Sequence, residues 1–588
     1  MKTIRSHFHL YLRGIPLLLR YQFFSKILLA AGMALFNALA GLLLKGSGRV
    51  AVTSADFLFL FTTWQGALLL VIGLAVLVVY VMLDIVAQIL GCAHILRGER
   101  ISVPSLLKET LWKTRRFLNP CGLLVVLYVT LVVPIVGLGF STTLTEGLQI
   151  PNFVMEVIYA TPLYRAAFFL TAAGLLVLSL LGIFLFHFVL LDGRGVAPSL
   201  RASIRLVRAH WKKFLPRYLL LFFSIAAVLV LACFTAVIPG ASAALWPMEN
   251  ETLQLFLTIF LSASGALLIA FLLMLCTPLQ LLELTRFYLL YTGEPLRELP
   301  TARARLWIAR RLLALVALAA LFGALLTPVA DELYGEAQPP AVVAHRGGGV
   351  LAAENTVAGI EAAAAAGANA SEIDVQRTKD GFYIINHDDT FRRLCGVAKK
   401  PQEMTLDEIR ALSVAGSAQG DDSPQPVATL EEALDAAAGR VTLFIELKGE
   451  TADRRMADDV AALVRKKGMQ DEVVLISLKY PLIQYISEQY GDLSAGLLYF
   501  ASYGDAPQLS CDYLLLEEEA ATYRAVSAIH DAGKKAIVWT VNTDDSLNAF
   551  LRSEADAIIT DQVGAAIRLR DEIAQETTAQ RLLEIIFN

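Results

Sequence analysis

Charge is scarce in this chain. Of its 588 residues only 18% are Asp, Glu, Lys or Arg. Mean hydropathy is +0.57, too apolar for an ordinary soluble protein. The net charge is -4, so no basic excess argues for nucleic-acid binding. Cysteine is sparse as well. Cys92, Cys121, Cys233, Cys276, Cys395 and Cys511 contain no CxxC pair, which excludes a dithiol motif or a cysteine-rich zinc site. Four of the six lie in apolar runs, where a buried free thiol is expected. Cys395 and Cys511 could pair only if the fold brings them together.

The apolarity is concentrated in the first 330 residues. Residues 1–26 are basic, with Lys2, Arg5, Arg13, Arg20 and Lys26. An apolar run from Ile27 to Leu44 follows, about one span long and without a convincing signal-peptide cleavage site. Further runs lie near 66–90, 121–142, 167–191, 218–238, 254–281 and 312–330, which predicts seven spans. The run at 254–281 is long enough to hide a re-entrant turn near Ser262–Gly265. Loops before span 1 and after spans 2, 4 and 6 hold roughly two dozen Lys and Arg, the alternate loops about three. This predicts a cytoplasmic amino terminus and an extracytoplasmic segment after Ala330.

Two basic stretches repeat weakly. Pro104-Ser105-Leu106 leads to Trp112-Lys113, and Pro198-Ser199-Leu200 leads to Trp211-Lys212. Both read either as amphipathic helices in the headgroup layer or as ordinary positive loops. Asp84 in the second run either marks a polar path or sits near the inner interface.

Asp331 to Pro340 reads as a polar linker. Strand-like runs then appear near 341–345, 371–376, 441–447, 473–478, 494–499, 512–517, 536–541 and 556–560, alternating mostly with helical stretches. Eight such units predict a (β/α)8 TIM-type barrel over 341–588, behind an α-helical polytopic membrane domain over 1–330. Helices are expected at 355–366, 455–467, 482–489, 522–532 and 546–553. The segment from Val563 reads as one helix with an apolar end, placed on the barrel floor or against membrane.

The chemistry gathers near the ends of these runs. His345-Arg346-Gly347 closes the first. Glu372 and Asp374, two apart on a strand, point to one face. Lys379-Asp380-Gly381 is a turn signal, and folding back about Asp380 puts His387 opposite Ile373, beside the carboxylate pair. Glu446 and Lys448 close a later run. Three carboxylates without a cysteine favour Ca2+ or Mg2+. Two histidines, three carboxylates and two cations suit a metal-assisted attack on a phosphodiester.

Together with Glu354-Asn355-Thr356, Thr378-Lys379-Asp380-Gly381, His387-Asp388 and Trp539-Thr540-Val541-Asn542, these residues resemble the glycerophosphodiester phosphodiesterases over about residues 341–565. One departure is Ala353, where many relatives carry Pro. The segment before the barrel looks like the membrane domain of some members. The resemblance implies hydrolysis of glycerophosphodiesters to glycerol 3-phosphate and an alcohol, with a divalent metal. His345 and His387 are then the acid/base pair, in either order, and Glu372, Asp374 and Glu446 the metal ligands. Glu354 and Asn355 take orienting roles. Arg346 and Lys448 clamp phosphate or form salt bridges in the mouth. Trp539 stacks on glycerol or packs the rim. Implied substrates are deacylated phospholipids, lysophospholipids or glycerol phosphate polymers. Two alternatives stay open: a lipid-handling or transport module with an accessory barrel, and phospholipase C/D-like or lysophospholipase D chemistry.

Overall fold

In this computed structural model, residues 2–117, 119–128, 150, 152–246, 248–297, 302–334, 339–414 and 424–587 are described. The chain divides into two compact units that alternate along it. One comprises Met1–Leu39, Leu68–Gly335 and Thr578–Asn588, the other Ala40–Ala67 and Glu336–Thr577. A serial division at the 331–340 linker therefore misplaces two short segments, 40–67 and 578–588. The start of that linker lies in the short helix Ala330–Tyr334.

Among the described residues, six helices are long and apolar enough to cross a membrane: Ile15–Gly46, Trp64–Arg97, Pro162–Leu190, Val196–Leu245, Glu251–Thr292 and Leu306–Val329. The expected span at 121–142 lies outside the described residues from 129 onward; the helix Pro120–Leu127 precedes that gap. Glu251–Thr292 is one unbroken helix, so there is no re-entrant turn at Ser262–Gly265. The small residues there serve packing: a Cβ on Gly265 would meet the Ala236 Cβ at 2.5 Å. The first basic stretch forms helix Val103–Thr114, capped by Ser102. The second opens the long helix Val196–Leu245. Asp84 is buried and accepts from Ser25 Oγ at 3.4 Å. Helix Thr578–Phe587 packs Ala579, Leu582 and Leu583 against Ala244, Leu255, Ile259 and Ala330. It is separate from helix Val563–Ile573, so the single expected carboxyl-terminal helix is two.

The second unit holds strands β1 (Ala51–Thr53), β2 (Ala341–Ala344), β3 (Ala370–Arg377), β4 (Tyr383–Ile385), β5 (Ser413–Val414), β6 (Gln425–Pro426), β7 (Thr442–Leu447), β8 (Val473–Ser477), β9 (Ser494–Tyr499), β10 (Ser502–Gly504), β11 (Tyr513–Glu517), β12 (Lys535–Trp539) and β13 (Ala557–Thr560). Eight parallel strands run in the order β2-β13-β12-β11-β9-β8-β7-β3, and β3 pairs back to β2, closing the barrel. These are the eight expected runs. β4 is the return arm of the expected hairpin: Val375 pairs with Ile385 and Gln376 with Ile384, a register centred on Asp380.

Strand alternation sorts the side chains. Val343, Ala370, Phe444, Ile476, Leu515, Ile537 and Ile559 fill the barrel interior. Ile373, Val375, Leu443 and Ile445 pack outward with the surrounding helices. Residues two further along from the interior set also point inward, at the carboxyl ends of the strands. All six cysteines are free.

Candidate active site

That alternation delivers the site. Counting in twos from the interior residues brings His345 from β2, Glu372 and Asp374 from β3, Glu446 and Lys448 from β7, Trp539 from β12 and Asp561 from β13 to the carboxyl-end mouth. Donor oxygens of Glu372, Asp374 and Glu446 lie within 4.8 Å of one another, and all three residues are buried. Lys448 Nζ donates to Asp374 Oδ1 at 3.0 Å and to Glu446 Oε2 at 3.2 Å.

One ammonium does not neutralise three buried carboxylates. Burial, then the charge of Asp374, push Glu372 up to about 8. Burial pushes Glu446 up to about 7, against the pull of Lys448. Burial would raise Asp374 too, but Lys448, His387, Arg346 and the amide of Asn355 hold it well below the usual carboxylate range. A cluster of hard oxygen donors left short of positive charge fits a divalent cation.

The backbone before helix Val357–Ala366 is wound tightly around this cluster. Arg346 and Asn355 both have positive φ, 49° and 53°. Asn355 N donates to Arg346 O at 2.6 Å. The Asn355 side chain meets Asp374 twice: Nδ2 donates to Oδ2 at 2.9 Å and Oδ1 accepts from the Asp374 amide at 3.0 Å. Arg346 N donates to Glu372 Oε2 at 2.9 Å. Its guanidinium reaches Glu354 at 3.4 Å, while its buried Nε has no partner among the described residues. A half-buried guanidinium with an unspent donor suits an incoming phosphate oxygen.

The two histidines have different neighbours. His345 Nδ1 meets Asp561 Oδ1 at 2.8 Å, and Asp561 Oδ2 accepts from Asn542 Nδ2 at 2.6 Å. Burial would lower His345, but the Asp561 carboxylate outweighs it and raises its pKa. Asp561 is held at about 2, its burial outweighed by His345. His387 Nδ1 meets Asp388 Oδ1 at 3.0 Å. There burial prevails and lowers the pKa, with Lys448 and Arg346 adding to it against Asp374 and Asp388. Trp539 is half-buried and donates from Nε1 to Leu515 O at 3.0 Å.

All ten residues singled out in the sequence lie at or beside this mouth. Three others were given no role there. Asp561 ends the last barrel run, and the rule that reactive groups cap barrel strands would have found it. Asp388 follows His387. Arg393 bridges Glu354 (Nη1 to Oε2, 2.8 Å) and Asp388 (Nε to Oδ2, 2.8 Å). It comes from the short helix Arg392–Cys395, which carries no periodic signal.

Known proteins resemble both parts of the chain. Residues 345–565 match the glycerophosphoryl diester phosphodiesterase family, and residues 4–322 match the membrane domain of glycerophosphoryl diester phosphodiesterase. The putative glycerophosphodiester phosphodiesterase YhdW of Bacillus subtilis is 26% identical over 228 residues, 37% of this chain and 93% of its own. A glycerophosphodiester phosphodiesterase of Caldanaerobacter subterraneus is 27% identical over 39% of this chain and 96% of its own. An Oleispira antarctica phosphodiesterase, solved with the product sn-glycerol-3-phosphate, is 25% identical and covers 41% of this chain and 99% of its own, with a TM-score of 0.36. The membrane-domain match alone spans more than half of the 588 residues. The chain therefore belongs to the glycerophosphodiester phosphodiesterase family, as a multi-pass member that joins the family's membrane domain to its phosphodiesterase barrel.

Proposed function

We propose that the barrel hydrolyses glycerophosphodiesters to glycerol 3-phosphate and an alcohol, with His387 as general base and His345 as general acid. The observation that carries this reading is the arrangement of two histidines, His345 paired through Nδ1 with Asp561 at 2.8 Å and His387 paired through Nδ1 with Asp388 at 3.0 Å, at a mouth that also holds a buried cluster of three carboxylates. The Asp561 carboxylate raises the pKa of His345, which favours proton donation, and burial lowers that of His387, which favours proton removal. His387 takes the proton of the attacking hydroxyl as its oxygen bonds to phosphorus; attack by water gives glycerol 3-phosphate directly, whereas attack by the glycerol 2-hydroxyl gives a cyclic phosphodiester that a water then opens to glycerol 3-phosphate. The bond from phosphorus to the leaving alcohol breaks, and His345 delivers the proton that alcohol needs. Arg346 and Lys448 face the phosphoryl oxygens. Asn355 fixes Asp374, and Glu354 with Arg393 fixes the loop that carries His387. Glu372, Asp374 and Glu446 would hold the cation, Ca2+ or Mg2+, which supplies Lewis-acid charge to the phosphate.

Glycerol 3-phosphate release from a panel of glycerophosphodiesters tests this, run with Ca2+, with Mg2+ and with chelator. Cation-dependent release abolished in His345→Ala and Glu372→Ala is expected. No release by folded, metal-loaded protein would reject it.

We infer that the barrel lies on the extracytoplasmic side. Loop charge puts the connector between the first two spans outside, and β1 in that connector pairs with β10 of the barrel. Strand pairing across a bilayer is not possible, so this pairing supports one shared side. An even number of crossings must separate connector and barrel, and the expected crossing at 121–142 is needed for that count. A reporter fused after Ala330 that works only in the cytoplasm would overturn the placement.

A further inference from the structure

The connector between the first two spans is not a plain loop. β1 pairs antiparallel with β10, Ala51 opposite Gly504, Val52 opposite Tyr503 and Thr53 opposite Ser502. Asp505 N donates to Val50 O at 3.0 Å and Phe500 N to Ser54 Oγ at 3.3 Å. β10 begins three residues after the carboxyl end of β9, so this pairing lies on the catalytic face of the barrel. The approach is close. Gly504 has φ +104°, and a Cβ there would meet Val50 O at 2.6 Å and Leu44 Cδ1 at 2.8 Å. Glycine is therefore required on two counts, conformation and space.

The connector has its own small core. Leu44, Val52 and Phe59 are buried together, with Tyr503 packed on them. Arg49 sits over the Phe59 ring at 5.0 Å and pairs with Asp56 at 3.3 Å. Leu44 is the last apolar residue of the first span, and Trp64 opens the second. The residues between leave Phe57, Leu58 and Phe61 outward, 57%, 72% and 60% exposed. Exposed apolar side chains on a short connector between two spans are suited to the lipid headgroup layer. Leu44 packs with Val52 of β1 and lies beside Gly504, all within one unit.

We propose that this connector is a membrane-docking latch. Phe57, Leu58 and Phe61 enter the headgroup layer of the bilayer that their own spans cross. β1 fastens that layer to the loop after β9 and holds the catalytic mouth at the lipid surface. The site then takes glycerophosphodiesters carried in that surface by an acyl chain in preference to the free diester. Resting on the phosphodiesterase reading, the step is the same hydrolysis: water and the acylated diester give acylglycerol phosphate and the head-group alcohol.

The test uses the full chain in lipid nanodiscs and reads choline release from two substrates, lysophosphatidylcholine and glycerophosphocholine. Two variants are compared with the unaltered chain. Gly504→Val breaks the latch, and the triple change Phe57→Ser, Leu58→Ser, Phe61→Ser removes the apolar tip while keeping β1. The unaltered chain is expected to favour the acylated substrate in kcat/KM by tenfold or more. Each variant should lose at least tenfold on it and stay within about twofold on glycerophosphocholine. An unaltered chain with no preference, or variants that change both substrates equally, overturns the latch while the phosphodiesterase reading stands. No choline from either substrate overturns both.

Discussion

Replacing Asn355 with Ala probes whether the cation site is built by its surroundings or by its carboxylates alone. Asn355 is 1% exposed and makes two bonds to Asp374, one to the carboxylate at 2.9 Å and one from the amide at 3.0 Å. A hydrogen bond to a charged group contributes about 1.5–3 kcal/mol, and a stranded buried amide costs about 1–3 kcal/mol. Alanine at φ 53° adds about 1 kcal/mol. Water entering the vacated space recovers part, so a net loss of about 4 kcal/mol in local stability is expected. The functional effect is narrower. Asp374 stays but is no longer aimed, and loss of such an outer partner weakens metal binding about 10–100-fold. Cation titrations of the rate should show half-saturation shifted by that factor, with activity largely restored at high cation. Hydrogen exchange should show faster exchange in the peptide carrying β3. Unchanged half-saturation together with unchanged exchange would refute the argument.

Three further outcomes are expected. Because burial raises the pKa of both Glu372 and Glu446, cation binding should displace protons near neutral pH; affinity measured by calorimetry should rise with pH through the neutral range and then level off. A pH-independent affinity contradicts the raised values. Asp561→Asn removes the charge that raises His345, so the alkaline limb of the pH–rate profile should move to lower pH, and a shift upward would reassign the acid. Lys448→Met leaves the three carboxylates without their ammonium; the cation-free barrel should lose about 3–5 kcal/mol, and the rise in melting temperature on adding cation should exceed that of the unaltered chain.

Much of the site could be read from spacing alone. The pair Glu372 and Asp374 and the turn at Asp380 determine a strand, a face and a register, and His387 follows by counting. What escaped lacks periodicity. Arg393 reaches Glu354 and Asp388 from a one-turn helix. Asp561 meets His345 from 216 positions away, a pairing made only when β13 closes on β2. β1 is three residues long, too short for an alternating pattern. Hydropathy also understates the helices. The run at 218–238 belongs to a 50-residue helix, because a helix continues past the bilayer while its apolar composition does not. Small residues at 262–265 suggested a break where close packing against Ala236 is the reason for them.

The helix Thr578–Phe587 belongs to the membrane unit although the whole barrel precedes it. In the order of synthesis, a part of the bundle is made only after the catalytic domain. The groove lined by Ala244, Leu255, Ile259 and Ala330 therefore stays open until translation has passed through every barrel strand. A chain stopped inside the barrel lacks the helix whose Ala579, Leu582 and Leu583 cover that apolar surface, so the packing of the first unit depends on residues that follow the whole second one.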